Sequence, residues 1–444
     1  MTLTELQEVL ARIGLTPSRK LGQNFLIDQN ISRWIARQLP VQDGDHVVEV
    51  GPGAGALTRD VAERAGGLTL IERDDRLAAY LADEFQERDD VEVHNMDACK
   101  FDTRRLFPLQ PVKLIGNLPY SAGGEIIRNF LGPHSPVCEA VLMLQREVAE
   151  RICAKPGGKD YGVLTLRVQS RWEPKILKHI GPECFHPRPQ IDSTVIHLTP
   201  RAPDSMPVYD VRLFDSTVRR GFSQRRKQLK KCLGIDADAW EEIAKQLGLS
   251  PTTRAEQVEL ADWIALTNLL DDHALKDIPQ KDDEIFDVVD EQNQVVGQRR
   301  RADVHREGLL HRAAHIFAFN SAGELFLQKR SRLKDVHPGS WDSSAAGHLD
   351  AGEDYASAAA REIVEEMGVE APVEKIAELP PTAANGDEFV HLFRAEVSGK
   401  PRWPASEVEF GQFFPLEIVD AWVAARPSDF AGGFLECYAA FRGQ

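Results

Sequence analysis

Two groups of residues in this chain are spaced for chemistry. In the first, the β-branched run Val47–Val50 ends in Gly51-Pro52-Gly53-Ala54-Gly55 and leads into a helical pattern. Glycines at a strand-to-helix turn let the backbone pass close to a ligand, and the helix start offers unpaired N–H groups. Acids close the next two strands: Glu72 after Leu68–Ile71, and Asp97 in Asn95-Met96-Asp97-Ala98. An acid in the place of Glu72 accepts both hydroxyls of a ribose, and Asp97 can hold the exocyclic amine of an adenine. Acids after strands also cap helices, but together with the glycine turn they favour a nucleoside cofactor. The second group is Arg361, Glu362, Glu365 and Glu366. On a helix the three glutamates stand at i, i+3 and i+4, on one face. Their charges repel unless cations neutralise them, and hard oxygen ligands suit Mg²⁺, which bridges to substrate phosphates.

The strand Val112–Gly116 runs into Asn117-Leu118-Pro119-Tyr120. This tetrad resembles the catalytic loop of amino-group methyltransferases. The N6 amine of adenine is a poor nucleophile because its lone pair is delocalised into the ring. The side-chain oxygen of Asn117 and the carbonyl of Leu118 or Pro119 can accept its two hydrogens. That draws the nitrogen toward tetrahedral geometry and aims its lone pair at a sulfonium methyl. Tyr120 can stack on the extruded base.

RKLGQNFLID (residues 19–28), VVEVGPGAGALT, NLPY, QREVAERI (residues 145–152) and FHPRPQIDS (residues 185–193) follow one another in order. Together they resemble the KsgA/RsmA family of small-subunit ribosomal RNA adenine N6,N6-dimethyltransferases, over about Thr16 to Leu270. The resemblance implies S-adenosylmethionine as cofactor. It places Asn24 and Leu26 in a segment that closes over the cofactor, and assigns Gly51 to the glycine loop. Glu72 becomes the ribose acid, Asp97 the adenine acid, and Asn117 a catalytic and cofactor-touching residue. Phe185 becomes the aromatic that sandwiches the target base opposite Tyr120, on a loop stiffened by Pro187 and Pro189. The related antibiotic-resistance methylases share the glycine loop and tetrad, but the F-x-P-x-P context leans toward the small-subunit family. Further on, Arg219, Arg220, Arg225, Arg226, Lys227, Lys230 and Lys231 crowd into one stretch around Phe222. Their local excess contradicts the chain's overall acidity and points to RNA phosphates.

Gly347, Glu353, Arg361, Glu362, Glu365, Glu366 and Gly368 fill every fixed position of the Nudix box. A plain solvated acidic helix would not need the outer glycine and glutamate. The expected reaction is attack of a metal-activated water on a diphosphate. Glu362, Glu365 and Glu366 are the expected metal ligands, with Glu365 or Glu366 helping to deprotonate the water. Arg361 orients the glutamates and Gly368 ends the helix. The surrounding segments resemble the isopentenyl-diphosphate isomerase branch, whose metal-binding histidines His305, His311 and His348 echo. That branch's cysteine is replaced by Ala346, so hydrolysis is expected rather than isomerisation. Lys329, Arg330 and Arg332 are candidate phosphate contacts.

The elements that must position these groups follow from periodicity. Short apolar runs alternate with helical patterns from about Val41 to His197, which predicts a doubly wound, mainly parallel sheet. The expected architecture is α/β: a Rossmann-like methyltransferase domain over residues 1–200, with a small helical RNA-binding lobe over 201–271. A polar linker over 272–283 leads to a Nudix α/β/α sandwich over 284–444, in which HIFAFNSAGELFLQKR forms a hairpin turning at Asn320–Gly323. With 444 residues, more than one domain is expected, and 42% hydrophobic content suits soluble cores. The formal charge of −16 argues against a generally nucleic-acid-coated surface, which makes the one basic stretch informative. Six scattered cysteines without a C-x-x-C pair suggest neither a zinc site nor disulfides. No signal peptide or membrane span is expected, so the chain is assigned to the cytoplasm; the methyltransferase resemblance implies a monomer. The expected partners are immature small-subunit RNA and a small diphosphate. The competing view is an assembly checkpoint factor with a non-catalytic Nudix binding module.

Overall fold

The computed structural model describes residues 1–18, 22–119, 122–271 and 283–443. They form two compact units, Met1–Met206 with Asp215–Leu266, and Pro207–Phe214 with Thr267–Gln444. The expected linker at 272–283 lies, apart from Asp283, outside the described residues.

In the first unit the β-branched runs become a seven-stranded sheet. Its order is Val91–Asn95, Gly67–Glu72, His46–Val50, Val112–Asn117, Val137–Gln145, Ser193–Pro200, Trp172–Ile180. The first five strands are parallel, Ser193–Pro200 runs antiparallel to them, and the edge strand Trp172–Ile180 pairs antiparallel with it. All six residues of Gly67–Glu72 are buried, as a strand covered on both faces requires. One apolar cluster, with Val48, Leu114 and Phe130, lies on one side of the sheet. Another, with Val47, Leu81 and Ile115, lies on the other. Alternation of side chains along each strand sends successive valines to opposite layers. The parallel topology collects the C-terminal ends of the strands, and hence Gly51, Glu72, Asp97 and Asn117, along one edge of the sheet.

A short antiparallel pairing joins Phe25–Leu26 to Phe185–His186. Ahead of it, Leu3–Arg12 is a helix closed by a capping box of Thr2 and Glu5. The basic stretch falls on helices Val211–Gly221 and Leu229–Leu233 and the turn between them.

The second unit contains a mixed seven-stranded sheet. Its main path runs Trp341–Asp342, Leu325–Arg330, His311–Phe319, Glu388–Glu396, Val373–Leu379. The expected turn forms, with Gly323 N–H donating to the Asn320 carbonyl at 2.9 Å. Its strands, however, meet only at Phe319 and Leu325. His311–Phe319 instead pairs in parallel along its whole length with Glu388–Glu396. Helix Tyr355–Met367 starts at the Asp354 cap and ends at Gly368, whose φ of +62° is the left-handed conformation that terminates helices.

Candidate active sites

The first unit holds a cavity at the ends of its parallel strands. Asn24, Phe25, Leu26, Glu49, Gly51, Gly53, Glu72, Met96, Asn117 and Pro119 are among its lining residues. The glycine turn is built for close approach: Gly51 and Gly53 take φ of +69° and +59°. A Cβ on Gly53 would stand 3.1 Å from the Phe25 ring, so the NFL segment lies directly against the turn. Glu72 is clamped by backbone donors, from Gly53 N–H at 3.0 Å and Asp74 N–H at 2.9 Å. Burial raises its pKa, and these N–H groups oppose the shift. Asn117 donates from Nδ2 to the Asn24 carbonyl at 3.2 Å. The carboxylate of Asp97 takes the Cys99 N–H at 3.0 Å and faces Arg73 at 3.6 Å, while its neighbours Met96 and Ala98 line the cavity. Tyr120 lies outside the described residues. Phe185 is 3% exposed in a cluster with Leu26, Ile180 and Val195, so its ring is seated as core rather than as an open stacking face.

The second cavity gathers Glu362, Glu365, Glu366 and Arg361 from helix Tyr355–Met367 with residues from distant strands and loops. The three glutamates are not equivalent. Glu362 and Glu366 are buried, whereas the Glu365 side chain is 58% exposed. Arg361 reaches Glu353 at 2.9 Å, Glu362 at 2.7 Å and Glu365 at 3.4 Å, and donates to the His348 carbonyl at 3.1 Å. Gly347 explains the glycine that opens the box: a Cβ there would lie 1.9 Å from Glu362 Oε1. Burial pushes the Glu362 carboxyl up to about 8, with Glu366 adding to the rise and Arg361 opposing it. Burial also raises Glu366, against the pull of Lys334. Two buried carboxylates of raised pKa at a glycine-lined opening fit a divalent cation, which relieves the repulsion that protonation otherwise relieves.

A family model described as ribosomal RNA adenine dimethylase matches residues 15–272, more than half of the chain. The chain belongs to this family. "Ribosomal RNA small subunit methyltransferase A" of Moorella thermoacetica is 39% identical over 269 residues, which cover 58% of this chain and 93% of that protein. The protein of the same name from Cereibacter sphaeroides is 41% identical over 271 residues, covering 60% of this chain and 96% of that one. A NUDIX domain model matches residues 309–431, so the dimethylase is fused to a NUDIX domain. No helix among the described residues is long and apolar enough to cross a membrane.

The basic stretch of the dimethylase unit divides by contact. Arg219, Arg220, Arg225, Arg226, Lys227 and Lys231 are exposed, and Lys230 is half-buried. Arg219 pairs with Asp215 at 2.6 Å, Arg220 donates to the Leu233 carbonyl, and Arg225 donates to the Tyr161 carbonyl at 2.5 Å. Phe222, read from sequence as an aromatic among RNA-facing cations, stacks on Trp263 at 5.7 Å and is packing.

In the NUDIX domain two of the candidate phosphate contacts are paired with acids, and one of them, Arg330, lines the cavity. Arg330 holds Asp342 at 2.9 Å and Lys329 faces Glu409 at 3.7 Å. Sequence reading missed Lys334, whose ammonium lies 3.8 Å from Glu366 and contacts Glu407. Glu407 lies far from the box in sequence, and no local pattern marks either residue. Among the described residues, the one group of three or more side chains with metal-ligand atoms all within 4.8 Å is His305, His311 and His348. Glu388 Oε1 faces His348 Nε2 at 3.0 Å and His311 Nε2 at 3.5 Å. Burial pushes His305 down to about 4, with His348 and His311 adding to the shift, which keeps it neutral as a metal ligand must be.

Proposed function

We propose that the dimethylase unit transfers methyl groups from S-adenosylmethionine to N6 of adenosines in small-subunit ribosomal RNA. The observation that carries this reading is the shared cavity of Asn24, Gly51, Glu72 and Asn117 at the sheet's edge. S-adenosylmethionine, when bound, supplies an electrophilic methyl group. Glu72, preset by two backbone donors, holds the ribose hydroxyls through its remaining lone pairs. The loop around Asp97, whose neighbours Met96 and Ala98 line the cavity, would hold the adenine. Asn117 spends Nδ2 on Asn24, which orients Oδ1 to accept from the target amine. Exposed Arg226, Lys227 and Lys231 contact RNA phosphates, and the name of the relatives supports the small subunit as the target.

We further propose that the NUDIX domain hydrolyses a small diphosphate-linked compound. Glu362, Glu365 and Glu366 would hold Mg²⁺, which supplies charge neutralisation at the phosphates. Glu365, the exposed member, has room to take a proton from water, while Arg361 fixes Glu362, and Gln328 and the Ala346 N–H fix Glu366. His305, His311, His348 and Glu388 fit a softer ion of the transition series, as the isomerase resemblance implies.

Both halves are tested with the purified chain. Unmethylated small subunits and labelled S-adenosylmethionine should give dimethyladenosine with the wild type and none with Asn117→Ala. A panel of nucleoside and isoprenoid diphosphates with Mg²⁺ should show one substrate turned over by the wild type and not by Glu365→Gln. Turnover by neither protein on the panel would leave a binding domain in place of a hydrolase.

A further inference from the structure

We propose that Lys334 is a mobile counter-ion of the NUDIX site, exchanging between the carboxylates of Glu366 and Glu407 and a phosphate of the substrate as a divalent cation loads. This rests on the hydrolase reading of the same cavity.

Lys334 lies on the loop after strand Leu325–Arg330, and its side chain is only 10% exposed. An ammonium so placed must always have an anion beside it, because burying it alone is costly. Its anions are Glu366 and Glu407, whose side chains are 6% and 21% exposed. Both carboxylates line the cavity that holds the NUDIX glutamates.

The other cations of this cavity are differently engaged. Arg301 pairs with Asp335 and Arg330 with Asp342, both outside the box. Arg361 spans Glu353, Glu362 and Glu365 in a fork that fixes the helix. Lys334 is the cation set against Glu366.

The two oxygens of Glu366 are also unequal. Oε2 receives Gln328 Nε2 at 2.9 Å and Ala346 N–H at 3.0 Å. Oε1 is the atom facing Lys334, at 3.8 Å. Oε1 is therefore the oxygen that a divalent cation would claim, and the ammonium competes for it. Two cations cannot share that oxygen at close range without strong repulsion. A lysine, with its point charge on a flexible four-carbon stem, can move away where a forked arginine cannot. In a cavity that takes a diphosphate, the anion that arrives with the metal is a phosphate oxygen. Lys334 then binds substrate only after the metal has displaced it, and Glu407 is freed to face the metal. The device makes metal and diphosphate binding mutually supportive, and it gives Glu366 and Glu407 a counter-ion in the metal-free site.

Isothermal titration of the full chain with Mg²⁺ tests this, with and without methylenediphosphonate as the diphosphate probe. Mg²⁺ keeps the readout off the imidazole cluster, which disfavours that ion. Lys334→Met should bind Mg²⁺ about tenfold tighter than the wild type without the probe. The gain in Mg²⁺ affinity that the probe gives the wild type should shrink in Lys334→Met to what direct coordination of Mg²⁺ by the probe supplies. Lys334→Arg should restore phosphate binding poorly, and Glu407→Gln should weaken Mg²⁺ binding. Unchanged or weaker Mg²⁺ binding by a folded Lys334→Met would overturn the proposal and leave the hydrolase reading standing. Wild-type Mg²⁺ binding that is absent, or indifferent to Glu366→Gln, would overturn both. Circular dichroism checks folding, and Lys334→Gln serves as the second neutral variant with the same expected sign.

Discussion

The side-chain amide of Asn117 donates to the main-chain oxygen of Asn24 across 3.2 Å, joining segments 93 residues apart in sequence. The tetrad at a strand end and the NFL segment near the N-terminus are thereby one structure. Asn117→Ala should lower methyl transfer at least about 100-fold, the usual scale for losing one preorganised polar group. It should also weaken cofactor binding, since the NFL segment loses its tie. Filter-binding of labelled methyl groups and cofactor titration measure the two effects separately. Retained turnover would remove Asn117 from its proposed role.

The basic stretch should split into two classes. Arg226→Glu, Lys227→Glu and Lys231→Glu change exposed side chains. Each should weaken RNA binding and reduce the salt slope by roughly one if it meets one phosphate. Arg225→Ala removes the donor to the Tyr161 carbonyl. It should lower Tm by a few degrees, with a smaller change in salt slope.

The histidine cluster should bind Zn²⁺. A saturating excess should raise the Tm of the NUDIX domain by several degrees, because binding to the folded state alone stabilises it. His348→Ala and His311→Ala should each abolish the shift while leaving the Mg²⁺ response of the carboxylate site. Melting curves with each ion make the comparison. An equal Zn²⁺ shift in His348→Ala would refute a site at these residues.

Glu49 gives a pH signature to the dimethylase unit. Burial pushes its carboxyl from 4.5 to about 8, and Oε2 has no hydrogen-bond partner. The folded chain thus holds a proton that the unfolded chain has released between these pH values. Its contribution to stability is full below the lower value and is lost as pH rises through the upper one. Glu49→Gln should match the wild type near pH 5 and exceed it in Tm near pH 9. Parallel Tm profiles for the two proteins would contradict this.

Gly347→Ala should disable the NUDIX site without touching a glutamate. The added Cβ would meet Glu362 Oε1 at 1.9 Å. The carboxylate must swing away, so the Mg²⁺ response should fall roughly tenfold or more. Calorimetric titration reads this directly, and wild-type affinity in the variant would show the contact to be soft.

Much of the scaffold was legible in the chain. Val47–Val50 forms with His46 ahead of it, Leu68–Ile71 extends by one residue at each end, and Val112–Gly116 extends to Asn117. These runs are buried on both faces of a parallel sheet, which makes their apolar pattern continuous and easy to bound. The hairpin around Asn320 was read less well. Its turn is local and forms, but strand partners are chosen by packing, and His311–Phe319 finds Glu388–Glu396 in preference to Leu325–Arg330.

By itself, the sequence determined the backbone devices and the residue types: the glycine turn, the acids at strand ends, the tetrad and the glutamates at helical spacing. These depend on neighbours within a few residues, where periodicity and φ preference act. Only the tertiary structure decided which side chains reach one another. It buried Phe185, stacked half-buried Phe222 on Trp263, committed Arg220 and Arg225 to backbone carbonyls, and parted exposed Glu365 from Glu362 and Glu366. It also brought Lys334 and Glu407 to the glutamates and gathered three histidines with Glu388. Such choices follow from close packing and from the need of every buried charge for a partner, and local sequence carries neither.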